Sequence, residues 1–512
     1  MLATFMEILD TSVANVSLPH IAKSLSVGVD QSTWVLTSYL LSNAIVLPLT
    51  GWFSTLFGRK RFYMACVVIF TVSSLLCGMA PSLPLLVFFR IIQGAGGGGL
   101  QPISQAILVD SFPRERRGMA MAVYGMGAVV APTIGPTLGG WVTDTFSWRW
   151  IFLLNVPVGI LSLVMTSFLI VDPLHIIRRT FKQGLKIDYI GLALLSVGLG
   201  FLQIVLDKGQ RDNWFASRFI VWSTVVAIAC LLGVLFWEFI VEDPVLDLRL
   251  LKDRNFAIST VAMYGLGAVI YSSTVLFPLL LQLLMGYSAE RSGLILLPGG
   301  LTIILLLPLV GRLTGLVEPR WLVAGGFSVL AVGLIQLGRY SVGTSHLGPV
   351  ADWMLSRAGV AFLFVPINVM AFHFLPKEKI GHATGLINLA RNVGGSTAIS
   401  LVTTMLERRS QFHQKQILAR SLAPVQTNGF ITQGLGAAPA MTPSQTTFFA
   451  HLQHQAMAFS FNDNFWLLAF LCVCVIPLMF AMKNTGRAKK PDLAVRQKAS
   501  GIRPPAFEDL GE

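Results

Sequence analysis

Charged side chains are scarce in this chain: they make up 12% of its 512 residues, against 54% hydrophobic. Soluble domains carry about 25% charged residues, so the shortage excludes an ordinary soluble enzyme and implies a polytopic membrane protein. Acids are scarcer still, with 25 Asp and Glu against 38 Lys and Arg and a net charge of +13. Such an excess can signal nucleic acid, but no basic patch here is interleaved with aromatics. The basic residues sit in short loops between apolar runs, where they set topology. There are five cysteines, Cys66, Cys77, Cys230, Cys472 and Cys474, all inside apolar runs. None has metal-site spacing with a histidine, so neither a disulfide framework nor a metal site is expected. The first residues lack a basic stretch and a small-residue cleavage site, so no cleavable signal peptide is expected. No Gly-Lys-Ser or Gly-Lys-Thr follows Gly94 and Gly96 to Gly99, so these glycines serve close helix packing rather than a phosphate.

What is present is a series of apolar runs. A span needs roughly 20 apolar residues. Fourteen spans are predicted, near 2–20, 31–53, 61–80, 83–107, 116–142, 149–171, 187–206, 217–240, 256–284, 289–316, 320–340, 350–374, 381–406 and 464–482. The fold class is an all-α membrane protein. Most of the 38 basic residues fall in the loops after even-numbered spans and in the C-terminal tail. Arg59-Lys60-Arg61, Arg114 to Arg117, Arg178 to Lys186 and Lys377 with Lys379 are examples. The positive-inside rule therefore puts both termini in the cytoplasm. The first span is short and carries Glu7 and Asp10, which favours a true start upstream.

A weak repeat joins Pro48-Leu-Thr-Gly51 through Leu56 to Pro308-Leu-Val-Gly311 through Leu316. It pairs spans 1–6 with 9–14 and leaves spans 7 and 8 as an insertion. The expected division is a six-helix half at 1–180, two inserted helices at 181–250, a second six-helix half at 251–482 and a tail at 483–512. The second half includes an outward, periplasmic loop at 407–463, whose ends have the composition of short helices. The tail reads as a solvated basic end.

Five motifs appear in order. Asp10-Thr-Ser-Val-Ala-Asn15 closes span 1, and Gly51-Trp-Phe-Ser-Thr-Leu-Phe-Gly58-Arg59-Lys60 joins spans 2 and 3. Arg90-Ile-Ile-Gln93-Gly94 lies in span 4, Gly135-Pro136-Thr-Leu-Gly139-Gly140 ends span 5, and Trp148-Arg-Trp through Asn155-Val-Pro157 opens span 6. Together they resemble the major facilitator superfamily, and within it the fourteen-span drug:proton antiporters. The resemblance covers essentially the whole chain. It implies the major facilitator fold, two six-helix halves plus two inserted helices, and no cofactor. It implies multidrug efflux from the bacterial inner membrane, exchanging protons for hydrophobic or cationic compounds. It also implies a periplasmic adaptor and an outer-membrane channel as partners. A siderophore or metabolite exporter, or a lipid flippase, remains open on the same fold. An enzyme is not expected, because the cytoplasmic loops are short and basic. Two departures stand out: Thr55 replaces an Asp common in the family's loop between spans 2 and 3, and Ala131 replaces a motif glycine.

An ionised carboxylate within a span costs about 2.5–3.5 kcal/mol, so Glu7 and Asp10 are the candidate proton carriers. They are three residues apart and share a helix face. The alternative is that Asp10 pins span 1 through hydrogen bonds; otherwise Asp10→Asn should abolish coupled efflux. Arg90 is expected to share in proton coupling as a counter-ion to an acid or a proton-relay partner, and Arg357 and Arg391 are weaker candidates for pairing with substrate or charge. Gly51, Gly58, Arg59 and Lys60 form the expected cytoplasmic gating loop. Gly135, Pro136, Gly139 and Gly140 hold no titratable group, so they are expected to act as hinge and seal. Glycine and proline inside an apolar run survive only where neighbouring helices pack against them.

Overall fold

The computed structural model describes residues 1–113, 116–170, 188–241, 244, 246–340, 348–422 and 443–483. The basic stretch from Arg178 to Lys186, the segment 423–442 and the tail from residue 484 lie outside them. Among the described residues the chain forms fourteen long helices. These are α1 (Leu2–Ser24), α2 (Trp34–Phe57), α3 (Arg59–Met79) and α4 (Leu83–Gly97, resuming as Leu100–Ser111). Next come α5 (Arg117–Thr145), α6 (Trp150–Leu153 with Asn155–Leu169), α7 (Tyr189–Lys208) and α8 (Arg218–Ile240). The remainder are α9 (Arg254–Leu279), α10 (Ala289–Leu316), α11 (Pro319–Leu337), α12 (Gly348–Ala371), α13 (Ile380–Leu422) and α14 (Pro443–Phe480).

Local chemistry sets the boundaries. The Asp188 carboxylate accepts from Gly191 N at 2.8 Å and caps α7; Asp253 does the same for α9 from Phe256 N at 2.8 Å. Gly58 turns the chain between α2 and α3 at φ +83°, a conformation that side chains resist. A π-turn at Leu280–Leu284 ends α9. Eleven of the helical rods are long and apolar enough to cross a membrane by length and composition; α1, α5 and α13 fall outside that set. Those three carry much of the polar chemistry described below.

The stretch 407–463 is helical at both ends, as its composition suggested, and these helices continue the neighbouring spans. The α13 helix runs unbroken to Leu422 and α14 begins at Pro443, well before residue 464. The extensions hold one another: the Leu406 carbonyl accepts from Ser460 Oγ at 2.6 Å, and Asp463 accepts from Arg409 Nε and meets His413 Nε2, each at 2.8 Å.

Lipid gives no hydrophobic drive between helices, so contacts depend on small residues that admit a neighbour. Two such contacts join helices distant in sequence. A Cβ on Gly51 of α2 would lie 2.6 Å from the His382 Cα of α13, and one on Gly118 of α5 would lie 2.8 Å from the Gly311 carbonyl of α10. Both crossings lie next to the basic loops. On that side the bundle is closed, backbone against backbone.

Candidate functional site

Five helices converge on Asp10, which is 3% exposed in the middle of α1. Its Oδ2 accepts from Arg90 Nη1 at 2.6 Å, and its Oδ1 from Asn155 Nδ2 at 2.7 Å and Gln93 Nε2 at 3.2 Å. Arg90 of α4 is fully buried. Its Nε donates to the Val35 carbonyl of α2 at 2.9 Å, and its guanidinium lies 4.2 Å from the Tyr39 ring centre. Asn155 of α6 also donates to Ser74 Oγ of α3 at 3.0 Å. Desolvating two charges is expensive and is offset only when geometry and further hydrogen bonds are good. On the Asp10 side they are: every partner of Asp10 is a donor, while Arg90 Nη2 is buried without a hydrogen-bond partner.

Glu7 lies one turn earlier and is equally buried, at 4%, but its surroundings differ. Its Oε1 accepts from Asn43 Nδ2 at 3.2 Å, and both oxygens accept from Gln101 Nε2, at 3.1 and 2.8 Å. These partners are amides. An amide can present its oxygen instead of its nitrogen, whereas a guanidinium has no acceptor to offer. The site can therefore accommodate a protonated Glu7 by turning a side chain. Asp10 cannot do the same against Arg90. The two acids share a face of α1 as expected, but they do not share partners.

Gln101 also lines a central cavity of about 190 Å³. Its walls are mostly apolar, including Ile8, Leu296, Ile303, Leu307 and Phe364. Among the described lining residues the charged ones are Arg357 and Arg391. Arg357 lies more than two turns inside α12, buried. There it stacks 3.7 Å from the Trp353 ring centre and donates to Ser273 Oγ of α9 at 2.9 Å. The Arg391 guanidinium of α13 donates to the Gln101 side-chain amide oxygen, Oε1, of α4.

The loop expected to act as a gate is also built in. Lys60 donates to the Ser167 carbonyl at 2.7 Å, and buried Arg59 forms an ion pair with Asp110 at the end of α4. Thr55 removed the acid expected in the loop; Asp110 supplies one from another helix. The Gly135-to-Gly140 stretch is continuous helix packed on α1. A Cβ on Gly135 would strike the Ser12 side chain, one on Gly139 would lie 2.9 Å from Val13 Cγ1, and one on Gly140 would meet nothing within 4 Å. The side chain of Pro136 lies outside the described residues.

Sequence reasoning brought Glu7, Asp10 and Arg90 together and missed Asn43, Gln101, Asp110 and the role of Asn155. One signal was available: polar residues recur at helical spacing within apolar runs, at Gln101 and Gln105 and at Asn388 and Arg391.

Long apolar helices around buried charges and a central cavity define a multi-pass membrane protein. The chain belongs to the Major Facilitator Superfamily, whose family model matches residues 1–399. It is 35% identical to the multidrug export protein EmrB of Escherichia coli strain K12, over 94% of each chain. It is 37% identical to the EmrB protein of Haemophilus influenzae, over 91% of each. Among solved structures, the proton:xylose symporter XylE superposes with a TM-score of 0.60 over 95% of each chain at 14% identity, which shows the fold alone. The protein is a transporter of this superfamily, not an enzyme.

Proposed function

We propose that the chain is a proton-coupled multidrug efflux antiporter of the bacterial inner membrane, with both termini in the cytoplasm. The observation that carries this reading is Glu7, a buried carboxylate held by two amides beside an apolar cavity. The similarity to multidrug export proteins over nearly the whole chain supports it and does not favour the siderophore or flippase alternatives.

In this reading residues 1–180 and 251–482 are the two halves that rock, 181–250 are the inserted pair and 483–512 are the tail. Closure beside the basic loops then corresponds to the outward-facing state. Protonation of Glu7 from outside favours the inward-facing state, where substrate enters the cavity and the proton leaves to the cytoplasm. Asp10 and Arg90 hold α1 in place. Gly51, Gly58, Arg59 and Lys60, with Asp110, gate the cytoplasmic side, and Gly135, Pro136, Gly139 and Gly140 seat α5 on α1. Hydrophobic substrates fit the apolar walls. Anionic groups find Arg357 and Arg391, and cations are drawn to Glu7. The partners are an EmrA-like periplasmic adaptor and an outer-membrane channel, with no nucleic acid, metal or cofactor.

Everted membrane vesicles carrying the protein test this reading across a panel of hydrophobic dyes. Dye accumulation should require an imposed pH gradient and cease when a protonophore collapses it. Accumulation indifferent to the gradient would overturn the proposal.

A further inference from the structure

The contact between Glu7 and the cavity passes through one side chain. Gln101 sits on α4 just past the helix break at Gly98–Gly99. Its amide nitrogen donates to both Glu7 oxygens, and its amide oxygen accepts from Arg391 of α13. The two ends of one amide thus join a carboxylate on α1 to a guanidinium on a helix distant in sequence. One turn further along α4, the Gln105 oxygen accepts from Asn388 Nδ2 at 2.8 Å. Gln101 pairs with residue 391 and Gln105 with residue 388, so the two helices meet as an antiparallel polar seam. The seam runs beside the Gly51–His382 crossing, on the closed side of the cavity.

The chemistry of the amide makes this more than a tie. An ionised Glu7 accepts only, so it takes the nitrogen end of Gln101 and leaves the oxygen end for Arg391. A protonated Glu7 carries an O–H that needs an acceptor. Rotating the Gln101 amide by half a turn supplies its oxygen to that proton. It then points the nitrogen at Arg391, donor against donor, and the bond across the seam is lost. Other titratable and charged groups surround Glu7: Asp10 on its own helix, Tyr39 on α2, Tyr63 on α3, Tyr124 on α5 and Arg391 on α13. Of these, Arg391 is the group Gln101 touches directly.

We propose that Gln101 is the coupling residue of this transporter: it reads whether Glu7 holds a proton and accordingly makes or breaks the α4–α13 contact with Arg391. The observed arrangement is the latched one, with Glu7 ionised. Protonation unlatches the seam and permits opening beside the basic loops; proton loss relatches it. Allosteric linkage requires two states that differ in their contacts to each site, and the amide's two orientations provide them. The inference rests on the assignment of the proton to Glu7.

The test compares Gln101→Met with wild type, Gln105→Met and Glu7→Gln as full-length protein in proteoliposomes. Methionine keeps the length of glutamine and removes both hydrogen-bonding ends. Two rates are measured for one fluorescent dye: uphill transport driven by a pH gradient, and equilibrium exchange without one. In Gln101→Met the ratio of uphill transport to exchange should fall about tenfold, within the usual range of coupling between sites, and the pH profile should flatten. Gln105→Met should keep the wild-type ratio and profile, because it does not touch Glu7. Arg391→Met, which removes the other end of the latch, should flatten the profile as Gln101→Met does; it serves as the deciding variant if Gln101→Met does not fold. A wild-type ratio and pH profile in Gln101→Met, or in Arg391→Met where it decides, overturns the latch while Glu7→Gln remains inactive uphill. Uphill transport of normal pH dependence in Glu7→Gln instead removes the proton assignment, and the latch with it.

Discussion

Asp10 and Glu7 lie three residues apart on one helix face, both buried, yet they are built for different tasks. Asp10 faces a guanidinium and two amides from α4 and α6, all donating. Glu7 faces two amides from α2 and α4, one of which continues to the cavity and to Arg391. Burial alone does not make a proton carrier. A carboxylate can exchange its proton cheaply only if its neighbours can serve both forms; Asp10 meets two amides at Oδ1, but the guanidinium at its Oδ2 offers no acceptor and favours the ionised form. In the proposed reading, Asp10 serves structure and Glu7 carries the proton.

The sharpest way to break that contrast is Glu7→Gln, which should lower gradient-driven dye efflux at least about a hundredfold, the scale of losing an obligatory proton-transfer group. The protein should still insert and bind dye, read by fluorescence quenching. Arg90→Met should act mainly on stability. It leaves Asp10 buried without its cation, which costs about 3–5 kcal/mol and should appear as a large fall in the thermal unfolding midpoint in detergent. Asp10→Asn should destabilise by about 2–3 kcal/mol, since Arg90 then loses its counter-charge but keeps a hydrogen-bond acceptor. Its residual efflux should retain the wild-type pH profile. That outcome differs from the sequence-based expectation that this substitution abolishes coupling.

Smaller effects separate neighbouring glycines of α5. Gly139→Leu forces a side chain against Val13, and overpacking of this kind costs about 1–3 kcal/mol. Efflux should fall without movement of its pH midpoint. Gly140→Ala meets open space and should be neutral or stabilising by about 0.5–1 kcal/mol, because alanine suits a helix interior better than glycine. Equal damage from both would show that α5 does not seat on α1 through the Gly139 side.

The helical frame was legible because apolar runs of spanning length repeat between short basic loops, and helices stand where those runs were read. The ordered motifs carried Asp10, Arg90 and the α5 glycines to their places. The helical ends of 407–463 were only half legible: composition suggested helices, but not that they continue the neighbouring spans. Gln101 and Asp110 were not legible as partners. Gln101 meets residues 94 positions before it and 290 after it, and nothing local in the sequence encodes such a pairing. The acid that Thr55 lacks appears on α4 for the same reason, since a charge pair is fixed by where helices cross.

The most direct measurement is the pH profile of gradient-driven dye efflux in proteoliposomes for Asp10→Asn beside Glu7→Gln, each corrected for the amount of folded protein. The account predicts that Asp10→Asn keeps the wild-type profile at reduced yield while Glu7→Gln loses uphill efflux at every pH. A normal profile in Glu7→Gln with a flat one in Asp10→Asn would contradict it.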